Sequence, residues 1–182
     1  PWEVLPLIKN YIIETGKSLS PSKFDEVKEN VWISKNACVS PTACIQGPTI
    51  IEEKTEVRHC AFIRGSVIIG KNCVVGNSTE VKNSVIFNNV QIPHFNYVGD
   101  SVMGYRSHMG AGSIISNVKS DKSNVSVKFK DKKIDTELRK FGAIVSDFVE
   151  IGCNAVLNPG TIIGRNSSVY PTSMARGFLE EN

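Results

Sequence analysis

The sequence predicts an all-β fold, a parallel β-helix of hexapeptide repeats with a short N-terminal helix and one long inserted loop. Three observations support it: aliphatic residues recur at every sixth position, small or β-branched residues follow them at a fixed distance, and two segments lack the repeat. An α-helix has a period of about 3.6, a coiled coil one of about 3.5 and a half-buried strand one of two. A period of six is typical of a triangular solenoid whose sides are short strands.

The repeat runs through most of the chain. Its first nine aliphatic positions are Ile33, Val39, Ile45, Ile51, Val57, Ile63, Ile69, Val75 and Val81. After one-residue slips it resumes at Ile86, Ile92 and Val98, then at Met103, Met109 and Ile115, and finally at Val145, Ile151, Leu157, Ile163 and Val169. The small residues four positions beyond the first nine are Ala37, Ala43, Thr49, Thr55, Ala61, Val67, Cys73, Thr79 and Val85, and we expect both sets to point inward.

Because one six-residue side cannot bury its aliphatic residue alone, the coils must stack. A β-sandwich is the alternative, but its strands recur every 8 to 12 residues.

Two segments interrupt the repeat. Within residues 2–15, Leu5, Ile8 and Ile12 have helical spacing and Gly16 is the predicted stop, so residues 1–30 are predicted as a helix and linker and 31–182 as the β-helix domain. Residues 118–142 contain eight Lys or Arg against four Asp or Glu, with alternating apolar residues that predict a hairpin. A solvated surface loop is the alternative, although a cationic excursion suits phosphate.

Composition excludes several classes of function. A net charge of +3 without a basic aromatic stripe argues against nucleic acid. The absence of a long apolar run or a secretory signal predicts a cytoplasmic protein without a membrane partner, and the initial Pro1 leaves open whether the natural chain extends upstream. The cysteines, odd in number and without a CxxC pair, are expected to be reduced thiols: Cys38, Cys44, Cys60, Cys73 and Cys153.

His94 is the predicted catalytic base. It lies in the segment IPHFNYVGD, two residues after the inward Ile92, and therefore outside the core. Imidazole has a suitable pKa for removing a proton from an attacking amine near neutrality. The alternative is a surface or inter-subunit hydrogen-bonding histidine. Phosphate-loop, dinucleotide, nucleophile-elbow and HExxH motifs do not occur, so nucleotidyl transfer by this chain is not expected.

The segment from Arg64 to Asn117 resembles the acetyltransferase domain of the bifunctional glucosamine-1-phosphate acetyltransferase and N-acetylglucosamine-1-phosphate uridyltransferase family. Four stretches carry the resemblance: IRGSVIIG, STEVKNSVI, IPHFNYVGD and HMGAGSIISN. It implies that His94 is catalytic and that the substrate-binding residues are Arg64, Glu80, Lys82, Tyr97 and Asn117, with Arg64 and Lys82 on the phosphate. It also implies that the main chain near Ala111 approaches acetyl-CoA.

Other parts of the chain fit the family more loosely. The stretch KKIDTELRKFGAIVSDFVEIGCNAVLNPG is similar to archaeal sugar-1-phosphate nucleotidyltransferase relatives, and PWEVLPLIKNYI is similar to the linker helix after the uridyltransferase domain. The resemblance implies that Cys153 lies near the acetyl-CoA thioester and Arg176 near a cofactor phosphate. His108 stands where the bacterial enzymes carry a second asparagine, and the lysines expected after Asn117 are matched loosely by Lys119, Lys122 and Lys128.

The resemblance implies an acetyl-CoA-dependent N-acetyltransferase acting on glucosamine 1-phosphate or a close relative, in UDP-N-acetylglucosamine biosynthesis. It also implies a left-handed winding and a homotrimer with active sites shared between subunits. A non-catalytic sugar-phosphate-binding or regulatory module and an O-acyltransferase are the alternatives. Zinc, bound by three histidines in the γ-class carbonic anhydrases of this fold, is a minor alternative. No metal is expected, because His94 and His108 are 14 residues apart and at different phases of the repeat.

Overall fold

The main body of the chain is a left-handed parallel β-helix whose eight coils stack by hydrogen bonding in register. The structure, a computed structural model, describes residues 1–181. The predicted hexapeptide-repeat solenoid is confirmed, since residues 18 or 17 positions apart pair in parallel from coil to coil. We number the coils 1 to 8, with residues 31–48, 49–66, 67–83, 84–100, 101–142, 143–160, 161–177 and 178–181.

Each of coils 1 to 7 contributes one strand to each of three faces, and coil 8 contributes one strand to the first face. The first face consists of Val31–Ser34, Thr49–Ile51, Val67–Ile69, Glu80–Ile86, Tyr97–Met103, Ala143–Val145, Thr161–Ile163 and Phe178–Leu179. The second face consists of Cys38–Val39, Glu56–Val57, Val74–Asn77, Gln91–His94, His108–Met109, Glu150–Ile151 and Ser168–Val169. The third face consists of Cys44–Ile45, Phe62–Ile63, Ile114–Ile115, Val156–Leu157, Met174–Ala175 and the first halves of Glu80–Ile86 and Tyr97–Met103. These two long strands join the first and third faces into one 14-stranded sheet.

The interior is a column of the predicted aliphatic residues. From Ile45 onward every repeat position is buried, and most of these side chains are fully inaccessible. Small residues occupy the inner side of the corners, where three faces converge and large side chains do not fit. One inward prediction was wrong: Val85 points out of the solenoid, and Ser84 takes the inward position. The one-residue slip falls between Val81 and Ser84 and shifts the pattern there.

The N-terminal helix packs across the outside of the first face. A 3-10 helix, Trp2–Leu7, leads into an α-helix, Ile8–Ser18, whose Ile8 and Ile12 are buried. The prediction that Gly16 ends the helix was wrong. Gly16 lies inside the helix, where the indole of Trp32 occupies the place of a side chain, and a Cβ there would lie 2.3 Å from the ring. Within residues 1–181, helices are too short or too polar to cross a membrane.

The outer surface of the first face carries one apolar residue from each of coils 1 to 7. We call this set the outer ladder: Trp32, Ile50, Ile68, Val85, Val102, Ile144 and Ile162. The N-terminal helix covers its first part, and the inserted segment folds back over the remainder through Val125, Val127 and Phe141. The inserted segment forms a hairpin of Ser126–Phe129 and Lys132–Asp135. A further strand, Phe24–Lys28, pairs antiparallel with Val31–Ser34.

Candidate functional site

Two shortened corners shape the third face. Where coils 3 and 4 turn from the third to the first face, one residue is missing relative to the neighbouring coils, which makes these coils 17 residues long. The strand therefore continues through the bend, and the corner is formed by Asn83 in one coil and Asp100 in the next. Both have left-handed backbone conformations, with φ of 44° and 49°. Asn and Asp adopt this conformation more readily than other side chains.

Asp100 is the middle member of a stack of three corner residues. Its side chain is only 6% exposed. Asn83 below it donates an amide N–H to Asp100 Oδ1 at 2.8 Å, and Asn117 above it donates to Oδ2. Lys82 Nζ reaches the same carboxylate at 3.0 Å and is itself about one fifth exposed. A buried carboxylate is stable when donors surround it in this way.

Arg64 and Lys82 lie on successive coils in a column of the third face that continues above through Gly99. Arg64 Nη1 donates to Glu80 Oε1 at 2.6 Å, and both side chains remain partly exposed. The carboxylate of Glu80 raises the pKa of the Arg64 guanidinium by hydrogen bonding and by charge. The third face thus presents two fixed cations one coil apart, each held by a carboxylate.

Tyr97 folds back over Gly99 and meets Asn117. A Cβ on Gly99 would lie 2.5 Å from the Tyr97 hydroxyl oxygen and 2.9 Å from Asn117 Nδ2, so both groups occupy the space above the glycine. Burial raises the pKa of Tyr97, and the negative charges of Asp100 and Glu80 add to the rise, while a hydrogen bond from Asn117 lowers it. The phenol therefore stays protonated and able to donate near neutral pH.

His94 lies at the exposed corner between the second and third faces of coil 4, three residues before Tyr97. Its backbone N–H donates to Asn96 Oδ1 at 3.0 Å, and its carbonyl accepts from Gly112. Ala111 occupies the same corner in coil 5 and accepts from Asn154 beside Cys153 in coil 6. The structure thus brings the predicted base, the glycine-alanine-glycine stretch and Cys153 into one column that runs along the solenoid axis.

Arg176 lies apart from this column, in coil 7. It lines an open groove of about 500 Å³ between the last coils and the inserted hairpin. The other cationic side chains of the groove are Lys119, Lys128 and Lys133. Three of its four cations come from the inserted segment, so we call it the hairpin groove. A cluster of four cations is suited to an anionic ligand.

The remaining histidines and the buried cysteine lie outside the group on the third face. His108 Nδ1 lies 2.8 Å from Glu150 Oε2 on the second face. Cys73 is buried, which raises the pKa of its thiol to about 11, and it donates to the Phe87 carbonyl. Within residues 1–181 no group of three or more His, Cys, Asp or Glu side chains could hold a metal ion. His59 and His94 occupy the same corner two coils apart.

A family model described as the GMPPB C-terminal domain matches residues 45–140, which are more than half of the chain. The chain belongs to the GMPPB C-terminal domain family. In this family member the matched region contains Arg64, Glu80, Lys82, the His94 corner and Asn117, whereas Cys153 and Arg176 lie outside it.

Curated relatives of this GMPPB C-terminal domain family member are larger proteins. A bifunctional sugar-1-phosphate nucleotidylyltransferase/acetyltransferase from Sulfurisphaera tokodaii is 40% identical over 87 residues, which are 48% of this chain and 22% of that protein. The bifunctional protein GlmU of Methanococcus aeolicus is 34% identical over 98 residues, which are 54% of this chain and 24% of that protein. The chain therefore spans about a quarter of their length. Among solved structures, a hexapeptide transferase family protein from Anaplasma phagocytophilum superposes with a TM-score of 0.46 at 17% identity, covering 81% of this chain and 75% of that one.

Five residues predicted from the sequence lie together on the third face, whereas Asp100 at their centre was not predicted. Asp100 is the last letter of IPHFNYVGD, but the identity of its partners depends on contacts between coils. A signal was present, since the slips in the repeat fall at Asn83 and Asp100. The hexapeptide repeat does not require a polar residue at a shortened corner, so such a residue indicates a role other than forming the solenoid.

Proposed function

We propose that the chain is an acetyl-CoA-dependent N-acetyltransferase whose acceptor is an amino-sugar 1-phosphate, glucosamine 1-phosphate or a close relative. The observation that carries the proposal is the assembly on the third face of two fixed cations, a phenol and a carboxamide beside an exposed histidine at the adjoining corner. The names of the relatives, a sugar-1-phosphate nucleotidylyltransferase/acetyltransferase and GlmU, support an amino-sugar phosphate as the acceptor.

In the proposed acceptor site the cationic groups bind the phosphate and the neutral groups bind the sugar. Arg64 and Lys82 bind the phosphate, because two cations held one coil apart match its charge and fix its orientation. Tyr97 and Asn117 hydrogen-bond to sugar oxygens. Glu80 holds the Arg64 guanidinium in place, as their 2.6 Å contact indicates.

In the proposed reaction the sugar amine attacks the thioester carbonyl carbon of acetyl-CoA. The new N–C bond forms, the C–S bond breaks, and the coenzyme leaves as the thiolate, which is then protonated. His94 accepts the proton lost by the amine. Backbone N–H groups near Ala111 stabilise the tetrahedral oxyanion, since donors fixed in advance need no reorganisation. The column of Ala111 and Cys153 above His94 is where the thioester would lie.

The hairpin groove suits the phosphates of acetyl-CoA. Arg176 lies in coil 7 and His94 in coil 4, and with strands about 4.8 Å apart the two are separated by roughly 14 Å along the axis. An extended coenzyme is long enough to place its thioester at His94 while its phosphates meet Arg176 and the hairpin lysines. Both residues would then act on one molecule of co-substrate.

We further propose a cytoplasmic homotrimer that serves UDP-N-acetylglucosamine biosynthesis. Exposed apolar side chains flank the His94 column, since Phe95, Tyr170 and Met174 are each more than half exposed in the single chain. A second copy packed against this corner would cover them and close the site. Light scattering during gel filtration tests this assembly, and a monomer of 20.0 kDa at all concentrations would contradict it.

The first experiment measures thiol release from acetyl-CoA with glucosamine 1-phosphate, with galactosamine 1-phosphate and without an acceptor. His94→Ala is expected to lower the rate at least about 100-fold, because general-base catalysis contributes about that factor. His59→Ala is the matched control, since His59 is exposed at the same corner two coils earlier. Release with hydroxyl acceptors alone would indicate an O-acyltransferase. Silence with every acceptor would indicate a non-catalytic sugar-phosphate-binding module.

A further inference from the structure

Asp100 has a place in the fold that the solenoid does not explain. The repeat needs aliphatic side chains inside and tolerates most residues at corners, yet here a carboxylate that is 6% exposed lies at a corner. It accepts hydrogen bonds from Lys82, Asn83 and Asn117. Two of these three donors are groups that the proposed function assigns to the acceptor.

A count of donors and acceptors fixes the orientation of the Asn117 carboxamide. An ionised carboxylate only accepts hydrogen bonds, so Asn117 must present its NH₂ group to Asp100. The same nitrogen and the Tyr97 hydroxyl oxygen both border the space above Gly99. With its NH₂ group turned to Asp100, Asn117 presents its carbonyl oxygen on the other side of the amide, as an acceptor for a ligand.

We propose that Asp100 is a positioning residue that sets the hydrogen-bond polarity of the acceptor site. It holds Asn117 with its carbonyl as an acceptor. The sugar phosphate must therefore bring a hydroxyl or ammonium donor to Asn117. This inference rests on the proposed function for the identity of the acceptor, but not for the orientation of the amide.

The carboxylate of Asp100 also holds the Lys82 side chain in place. Lys82 Nζ lies 3.0 Å from Oδ2 and 3.4 Å from Oδ1 of Asp100, and an ammonium with three N–H groups keeps donor capacity for a phosphate. This contact fixes an otherwise mobile side chain before the ligand arrives, which reduces the entropy lost on binding.

The isosteric variant Asp100→Asn tests the proposal. Its amide can donate to Asn117, which removes the constraint on the Asn117 carboxamide. We expect the KM for glucosamine 1-phosphate to rise about 10- to 100-fold, the range for loss of charge-assisted hydrogen bonds, while the KM for acetyl-CoA changes less than about twofold. Asn83→Gly is the control, because glycine tolerates the left-handed corner and Asn83 contacts Asp100 from the side away from Asn117.

The exchange Asp100→Asn/Asn117→Asp separates positioning from a structural role. It keeps a carboxylate and an amide in contact, and it keeps the net charge, but it reverses which group faces the acceptor. If Asp100 only ties the coils together, the exchange restores the affinity for the sugar phosphate. If Asp100 sets the polarity, the exchange folds with a wild-type Tm and leaves the affinity low. Restoration would overturn the proposal.

A readout without catalysis keeps this test independent of the proposed function. The side-chain amide ¹⁵N–¹H signals of Asn117, assigned by their loss in Asn117→Asp, are expected to shift in Asp100→Asn and to stay in place in Asn83→Gly. Unshifted signals in Asp100→Asn would overturn the proposal. Calorimetric binding of glucosamine 1-phosphate without acetyl transfer would overturn the proposed function alone.

Discussion

Replacing Gly99 with alanine is expected to damage the acceptor site without unfolding the solenoid. The backbone at Gly99 lies outside the left-handed region, so alanine is compatible with the local conformation. Its Cβ would lie 2.5 Å from the Tyr97 hydroxyl oxygen and 2.8 Å from the adjacent ring carbon, against an ordinary contact of at least 3.4 Å. The Tyr97 ring must therefore move by about 0.9 Å, the difference between these distances.

A displacement of this size is large for a binding site. A misplacement of about 1 Å can cost about 100-fold in rate, so we expect kcat/KM for glucosamine 1-phosphate to fall by about that factor. The KM for acetyl-CoA and the far-ultraviolet circular dichroism spectrum are expected to stay close to wild type. Steady-state thiol release at varied sugar phosphate gives the first quantity, and varied acetyl-CoA gives the second.

A double-mutant cycle shows whether the loss arises at Tyr97. In a Tyr97→Ala background the ring is gone, and Gly99→Ala should then cost much less than it does in the wild type. An equal loss in both backgrounds would refute the reasoning, as would a Gly99→Ala enzyme with wild-type kinetics.

Three further predictions concern the groove, the helix and the phenol. Lys128→Gln and Arg176→Gln should each raise the KM for acetyl-CoA and weaken its salt dependence, while the KM for the sugar phosphate stays unchanged in the same assay. Gly16→Ala should destabilise the fold by about 1–3 kcal/mol in urea unfolding, because its Cβ meets the Trp32 ring and forces local repacking. Because burial raises the pKa of Tyr97, its contribution to stability is complete below the unfolded value of about 10 and is lost as the pH rises through the folded value. Tyr97→Phe should therefore reduce the fall in unfolding free energy as the pH rises above about 10.

The groove and phenol predictions each have a matched comparison. Lys9→Gln removes an exposed positive charge from the N-terminal helix, away from the groove, and should leave the KM for acetyl-CoA unchanged. A change in the KM for acetyl-CoA with Lys9→Gln equal to that with Lys128→Gln would show a general effect of net charge. Tyr11→Phe alters a phenol on the N-terminal helix that is 57% exposed, so a pH effect equal to that of Tyr97→Phe would contradict the role of burial.

The solenoid could be predicted because its interior imposes a simple rule at every sixth residue. A triangular column of stacked coils admits an aliphatic side chain on each face and a small one at each corner, and the sequence repeats both. Val85 was misassigned because the corner before it is one residue short. Gly16 was misassigned because glycine is needed there to make room for the Trp32 ring. A contact between separate parts of the chain leaves no local sequence pattern.

The site could be predicted only in part. Its residues on the third face follow from local sequence motifs, whereas the hairpin groove depends on long-range packing. The groups on the third face, such as Lys82 and Tyr97, belong to continuous motifs and keep their spacing from coil to coil. The neighbourhood of Arg176 depends on how the hairpin folds back, and neither charge nor alternation in residues 118–142 specifies that direction. Phe141 and Val127 decide it by packing on the outer ladder.

The cover over the outer ladder has a consequence for how the chain unfolds. Coils that contact only their neighbours can melt one at a time from either end, as in any linear array. Here the N-terminal helix and the inserted segment together cover coils 1 to 7, and they meet where the rings of Trp2 and Phe141 approach to 6.0 Å between centroids. The first turn of the chain therefore contributes to the integrity of coils more than a hundred residues away. Loss of either cover exposes apolar surface on its part of the first face and removes the Trp2–Phe141 contact that joins the two covers, so the β-helix is expected to unfold as one cooperative unit.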